Sequence, residues 1–96
     1  MKAAKRVEIV VDAVDAQRVI DVLDRVGVGG YTRIRDVTGS GDRGIRSADE
    51  LTGVFKNNYF LVVCDDSQAV AVAEGIRPIL DQVGGICLIS DCLVIH

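Results

Sequence analysis

The first part of the chain alternates between hydrophobic and polar positions. The apolar members of this alternation are Val7, Ile9, Val11 and Ala13. Successive side chains of an extended backbone point to opposite faces, so an alternating segment presents one apolar face to a core. The pattern predicts a strand over Arg6–Val14.

Beyond that strand, the apolar spacing changes to the period of a helix. The positions that fit this period are Ala16, Val19, Ile20, Leu23 and Val26. Asp15 precedes them and is a residue type that caps helix N-termini, whereas Gly27 follows them as a typical C-terminal cap. The sequence predicts an amphipathic helix that Asp15 caps and that ends at Val26.

The same two patterns predict four more elements. Strands are expected over Tyr31–Thr38, over Ile86–Ile95 and over the continuous apolar run Tyr59–Cys64, which is typical of a central strand. A second helix is expected over Ser67–Val83, with its first residue as the N-cap. Pro78 lies inside this helix and should kink it or end its regular hydrogen bonding.

The element order is therefore βαββαβ, in one α+β domain that spans residues 1–96. Two helical crossovers around a central hairpin fit the ferredoxin-like sandwich, an antiparallel sheet with both helices on one face. Such a sheet leaves its other face bare. Hydrophobic residues make up 49% of the chain and aromatic ones 4%, which is more aliphatic side chain than one small core needs. We therefore expect sister subunits to cover the bare face.

Charge and hydropathy narrow the classes of function. Lys and Arg total 11 against 14 Asp and Glu, for a net charge of −3, which argues against a general nucleic-acid binder. No segment has the roughly 18–20 consecutive apolar residues that a membrane helix needs. We expect a cytoplasmic protein with no direct membrane insertion.

Three cysteines occur without a Cys-x-x-Cys pair, so their spacing is that of neither a disulfide framework nor a zinc site. Cys87 and Cys92 are five positions apart and should face opposite sides of the last strand. Cys64 should lie two strands away, beyond disulfide reach. His96, the sole histidine, has no candidate ligand partner nearby in the sequence. We therefore expect no disulfide and no metal site.

The connection between the second and third strands, Gly39–Asn57, is far longer than the roughly two to five residues that close most hairpins. Its glycines allow backbone N–H groups to converge on an anion, and its arginines offer guanidinium groups suited to phosphate or a planar oxyanion. These residues are Gly39, Gly41, Gly44, Arg43 and Arg46. Two interpretations stay open on composition alone: an anion site, or a charged surface loop without a ligand.

Two well-known motifs come close to this segment without matching it. The Gly39–Gly44 spacing is G-x-G-x-x-G, but the dinucleotide-binding version must open a full crossover helix in a parallel βαβ unit. No Gly-Lys-Ser/Thr follows, which excludes a Walker A loop. The acidic residues Asp42, Asp49 and Glu50 have no evident partner base or metal for hydrolysis. We expect no catalytic residue and no catalytic cofactor.

Several short motifs follow one another in a set order along nearly the whole chain. Gly30-Tyr31-Thr32 is followed by Thr38-Gly39-Ser40-Gly41 before the long loop, and Asp65-Asp66-Ser67-Gln68 precedes the second helix. In this order and spacing the chain resembles the PII signalling superfamily. The run Gly-x-Gly-x-Arg-Gly-x-Arg, with Asp49-Glu50-Leu51-Thr52-Gly53 after it, resembles the PII-like branch associated with carboxysome and bicarbonate-transport gene clusters.

The resemblance implies a homotrimer that binds adenine nucleotides in clefts between neighbouring subunits. The long connection would be its T-loop, which changes conformation with the ligand and signals to a protein target, such as a membrane bicarbonate transporter. The nucleotide-binding residues that the resemblance assigns are Gly30, Tyr31, Thr32, Gly39, Ser40, Gly41, Arg43, Arg46 and Gly85, the first three beside the base. It places bicarbonate at Ser40, Gly41 and Arg43.

The chain departs from typical nitrogen-sensing PII proteins before its last strand. Their glycine- and lysine-rich B-loop grips the distal phosphates, whereas here Gly84-Gly85 stands at that place and no Lys or Arg follows Arg77. Each lost charge-assisted contact is worth about 1.5–3 kcal/mol. We therefore expect ADP or AMP to compete well with ATP, and we do not expect nitrogen sensing through 2-oxoglutarate.

Two other classes of function stay open at this stage, a small nucleotide hydrolase and a metal-tolerance trimer of the same architecture. Turnover of ATP or ADP at ordinary enzyme rates would favour the first, and stoichiometric uptake of copper or zinc the second. Arg33 and Arg35 also have two interpretations. They are part of an intersubunit anion cleft, or they form salt bridges to acidic residues of a neighbour, which is the interpretation we favour.

Overall fold

The computed structural model describes residues 1–39 and 56–95. Its elements in chain order are β1 (Lys2–Asp12), a 3-10 turn (Ala13–Asp15), α1 (Ala16–Val26), β2 (Thr32–Val37), β3 (Asn57–Cys64), α2 (Asp66–Val83) and β4 (Ile86–Val94). This order confirms the predicted βαββαβ arrangement. In these ranges no helix combines the length and the apolar character needed to cross a membrane.

The four strands form one antiparallel sheet in the order β2-β3-β1-β4. Ile9 of β1 pairs with Phe60 of β3 on one side and with Cys87 of β4 on the other. The two interior strands are therefore β1 and β3, and the expectation of a central strand over Tyr59–Cys64 is confirmed. β2 and β4 form the two edges.

Both helices pack on one face of this sheet. The core combines alternate residues of β1 and β3 with the inward faces of the helices, and α1 and α2 also contact each other. Its members are Val7, Ile9, Val11, Ala16, Val19, Val22, Leu23, Phe60, Val62, Cys64, Ala69, Val72, Ile76 and Ile79. The predicted ferredoxin-like sandwich is confirmed; that residues 1–96 form one domain stays a prediction.

The opposite face of the sheet is covered by no helix among the described residues. We call it the open face. Its larger apolar side chains include Ile34, Val63, Ile86 and Leu88, which are each 45–52% exposed. Because side chains alternate along a strand, one face can enter the core only if the other is left to solvent or to another chain. The bare face expected from the sequence is present.

The N-terminal strand differs from its prediction at both ends. It begins at Lys2 and ends at Asp12, and Ala13 opens the 3-10 turn instead of extending the strand. The Ala13 N–H donates to the Lys56 carbonyl over 2.8 Å, which holds the start of this turn beside the beginning of β3. Asp15 is the N-cap residue of α1, as predicted, but its side chain makes no capping hydrogen bond and instead lies 3.7 Å from Arg18.

The N-terminus of α2 is capped by Asp65, so the prediction of Ser67 as the cap is wrong. The Gln68 N–H donates to the Asp65 carboxylate over 2.8 Å, and the Asp65 N–H donates to the Gln68 side-chain carbonyl over 3.1 Å. This reciprocal pair is a capping box, which satisfies two otherwise unpaired donors. The Ser67 hydroxyl donates to Asp65 over 2.9 Å. The helix does not end at Pro78 but continues through it to Val83.

Asp65→Ala is expected to lower the thermal midpoint at neutral pH, and Ser67→Ala to lower it less. Hydrogen bonds from Gln68 and Ser67 hold the pKa of Asp65 below its ordinary value of 3.8. The stabilisation is therefore complete above pH 3.8 and is lost as the pH falls through the lowered folded-state pKa. Circular-dichroism melts from pH 7 to about pH 2 should show the gap between wild type and Asp65→Ala closing in acid. Equal midpoints for the two variants at pH 7 would contradict this assignment.

The predicted placement of the cysteines on the strands is confirmed. All three thiols are free. The register places Cys87 opposite Ile9 on the helix-covered face and Cys92 opposite Ala4 on the open face, while β1 separates Cys64 from β4. Burial raises the pKa of Cys64 and of Cys87, which favours the protonated thiol at neutral pH.

Candidate functional site

The residues that the sequence nominates for ligand binding fall into two groups. Five of them lie in the part of the chain that the structure describes: Gly30, Tyr31, Thr32, Gly39 and Gly85. Four lie outside the described residues: Ser40, Gly41, Arg43 and Arg46. The bicarbonate position proposed from the resemblance belongs wholly to the second group.

Gly39 and Gly85 lie at the same end of the sheet but at opposite edges. Val37, two residues before Gly39, pairs with Asn57, whose partner on β1 is the last residue of that strand. Gly85 lies beside Val10, only two positions back along β1. Since β3 and β1 separate the edge strands, three strand spacings of about 4.8 Å, or about 14 Å, lie between them. A single chain therefore does not bring its β2 residues and Gly85 together.

The edge strand β2 carries a side-chain cluster on the helix-covered face. The Arg33 Nε donates to the Asn58 side-chain oxygen over 2.6 Å, and its guanidinium carbon lies 5.8 Å from the centre of the Phe60 ring. The Tyr31 and Phe60 ring centres are also 5.8 Å apart, with a 57° angle between the planes. Phe60 is fully buried, whereas Tyr31 is 39% exposed. A rigid ring therefore holds in place one cation and one accessible aromatic surface.

Asn58 is the member of this cluster that sequence reasoning missed. It is 1% exposed and is the one buried polar residue of the described ranges. Burial of an amide is favourable only where its polar atoms find partners, and Arg33 supplies one. The available signal was the alternation itself, since Asn58 shares its strand face with Phe60 and Val62. Both interpretations of Arg33 and Arg35 stay predictions, because they concern a neighbouring subunit.

A β-bulge ends β2 just before the long connection. Ile34 pairs with Tyr59, and Val37 pairs with Asn57. Between these two pairs, β2 contains one residue more than β3. Asp36 lies in the bulge with a φ of 59°, in the left-handed region that aspartate tolerates better than most residues. Bulges bend and twist the strand that carries them. The bulge therefore changes the direction of the backbone where it leaves the sheet towards Gly39.

Gly85 is required by the fold itself. Its φ is 105°, and a Cβ at this position would lie 2.4 Å from the Val10 carbonyl oxygen. The side chains of Leu80 and Val11 would each lie 3.2 Å from the same Cβ. The backbone contact leaves no room for any side chain. The structure thus accounts for glycine at this position without reference to a ligand.

An open concavity of about 820 Å³ lies at the other end of the sheet. Its polar lining consists of Lys5, Asp65, Asp66, Ser67, Asp91 and Cys92. Lys5 donates to Asp91 and lies 3.8 Å from Asp66, and the hydrogen bond to Asp91 raises the pKa of Lys5. None of the five nominated ligand residues that the structure describes lines this concavity. Across residues 1–39 and 56–95, no group of three His, Cys, Asp or Glu side chains is placed to hold a metal ion.

Comparison with known proteins gives a family and a set of structural relatives. A sequence model of the family described as nitrogen regulatory protein P-II matches residues 4–96. No curated protein matches the chain.

Three solved structures illustrate the similarity of fold. CPII, a nitrogen regulatory PII-like protein from Thiomonas intermedia solved with ADP, AMP and bicarbonate, superposes with a TM-score of 0.82 at 22% identity, covering 98% of this chain and 94% of its own. A PII-like signalling protein of Thermus thermophilus superposes with a TM-score of 0.77 at 23% sequence identity, and the match covers 97% of this chain and 90% of that protein. GlnK of B. subtilis in complex with ATP superposes with a TM-score of 0.68 at 19% sequence identity, and the match covers 96% of this chain and 84% of GlnK.

Proposed function

The chain belongs to the nitrogen regulatory protein P-II family, and on that premise we propose that it is a PII-like sensor of adenine nucleotides and bicarbonate. The family match over residues 4–96 carries the proposal. ADP and AMP are the nucleotides we favour, because the chain has no Lys or Arg after Arg77 to hold distal phosphates. CPII, which shares the fold, was solved with ADP, AMP and bicarbonate bound. The sensor is not an enzyme: it binds its ligands without turning them over.

The sites lie between subunits of a homotrimer. The nominated residues of β2 and Gly85 occupy opposite edges of one sheet, so a complete site needs the β2 edge of one chain and the β4 edge of the next. Tyr31 then offers its exposed ring to the base, and Gly39 begins the segment that meets the phosphates. The open face supports the same assembly, since about half of each of its larger apolar side chains is accessible to a sister subunit.

Signalling passes through the T-loop, the connection of residues 39–57, to a protein target. The ligand must bind one loop conformation better than another, because equal binding would shift no population. A phosphate that touches glycine N–H groups and two guanidinium groups supplies such a difference. The branch of the family that the sequence resembles makes a membrane bicarbonate transporter the target we propose, with the protein itself in the cytoplasm and linked to carboxysome function.

Arg43→Ala and Arg46→Ala are each expected to weaken ADP binding by about 1–3 kcal/mol without disturbing the fold. The reason is the loss of a charge-assisted contact to phosphate. Isothermal calorimetry with ADP, AMP and ATP, each with and without bicarbonate, measures the effect. Arg77→Ala is the matched control, because Arg77 is an exposed arginine in the middle of α2 and is not one of the nominated ligand residues. Unchanged ADP affinity in both loop variants would remove these arginines from the site.

A further inference from the structure

The open face is not uniformly apolar. Its apolar side chains surround a group of four polar residues on the three strands β1, β3 and β4: Arg6, Glu8, Tyr59 and Ser90. We call them the central network. Arg6 pairs with Val63 and Ser90, and Glu8 pairs with Leu61 and Leu88. Because β1 is interior, the two charges stand in the middle of the face that lacks a helix.

Both oxygens of the Glu8 carboxylate have partners within the chain. The Tyr59 hydroxyl donates to Oε2 over 2.7 Å, and the Arg6 Nε lies 3.6 Å from Oε1. The same Nε donates to the Ser90 hydroxyl over 3.2 Å. The hydrogen bond to Glu8 raises the pKa of Tyr59, so this hydroxyl stays a donor at neutral pH. The network thus carries one positive and one negative charge that cancel.

A charge pair of this kind changes its energetic role when a surface is covered. In water, an exposed ion pair contributes little to stability, and here the side chains of Arg6 and Glu8 are still 49% and 30% exposed. Under a second chain, removal of one partner leaves the other charge buried and uncompensated, which is strongly unfavourable. Removal of both leaves an apolar or neutral surface, which is tolerated.

We propose that sister subunits bury Arg6 and Glu8 at the trimer interface, so that assembly tolerates both charges or neither but not one alone. The occupant of the open face is a second copy of this chain, because the charges on its centre already cancel and the surrounding side chains are apolar. The inference rests on the proposed homotrimer and adds to it the residues that make the interface selective. Apolar contact between subunits stabilises the assembly. Any packing arrangement that separates one charge of the central network from its partner is energetically unfavourable.

The test is a double-mutant cycle on the state of assembly. Wild type, Arg6→Met, Glu8→Gln and the double variant are diluted at neutral pH, and their masses are followed by analytical ultracentrifugation. Each single variant is expected to raise the concentration of half-dissociation by about tenfold or more, and the double variant to return close to wild type. Tyr59→Phe keeps both charges and is expected to weaken assembly by a smaller factor. Circular dichroism at high concentration checks that every variant is folded.

A second pair of charges provides the matched control. Arg18 of α1 and Asp15 of the preceding 3-10 turn lie 3.7 Å apart in the helix layer, away from the open face, so Arg18→Met and Asp15→Asn should leave assembly unchanged. Wild-type assembly in all four proteins of the cycle, or single effects that simply add in the double variant, would overturn the inference while leaving the trimer intact. A wild-type chain that is monomeric at every concentration would overturn the trimer as well, before any variant is compared.

Discussion

Phe60→Ala is expected to lower the free energy of unfolding by about 3–5 kcal/mol, the largest effect of any single change considered. Phe60 is fully buried at the centre of the core and also contacts Tyr31 and Arg33. Its removal leaves a cavity that the surrounding strands and helices cannot fill without moving. Total stabilities of small domains are about 5–15 kcal/mol, so the variant loses a large share of its folded population.

Urea denaturation at one fixed protein concentration measures this loss, because the apparent stability of an oligomer depends on concentration. Val70→Ala is the control, since Val70 lies on α2 with 57% of its surface exposed and its truncation should change little. Equal effects of the two substitutions would contradict the placement of Phe60 in the core.

Gly85→Ala is expected to lower the free energy of unfolding by about 2–4 kcal/mol. The cost has two sources: a φ of 105° that a side chain disfavours, and a Cβ only 2.4 Å from the Val10 carbonyl oxygen. Relief requires β1 or the start of β4 to move. The substitution should therefore lower the stability of the fold and also disturb the nominated nucleotide site. The midpoint of thermal or urea denaturation measures the loss of stability.

Gly30→Ala separates folding from ligand binding. A Cβ at Gly30 would meet no atom within 4 Å, so the free energy of unfolding should change by no more than about 0.5 kcal/mol. Calorimetry with ADP on this variant then reports on the base contact alone. If the Gly85→Ala variant were as stable as the Gly30→Ala variant, the close approach of Gly85 to the Val10 carbonyl would be contradicted.

The candidate site was predictable only in part, and the reason differs from residue to residue. Gly30, Tyr31 and Thr32 were nominated by resemblance and stay predictions; the structure places Thr32 at the start of the edge strand β2 and the other two just before it. Asp36 was missed because a bulge depends on the register of two strands, which no single segment records. The capping of α2 by Asp65 was missed because three candidate capping residues stand in a row, and only the Gln68 side chain distinguishes Asp65 from the others.

The sequence by itself determined the order of elements, the amphipathic face of α1, the apolar surplus of the sheet and the family. Each of these follows from local periodicity or from motifs in order, because a side chain's face is set by its position in a strand or helix. Only the tertiary structure decided what meets across strands: Arg33 with Asn58, Glu8 with Tyr59, and Gly85 with Val10. These contacts join residues far apart in the chain, and their geometry depends on how the strands pair, which the pattern within one segment does not encode.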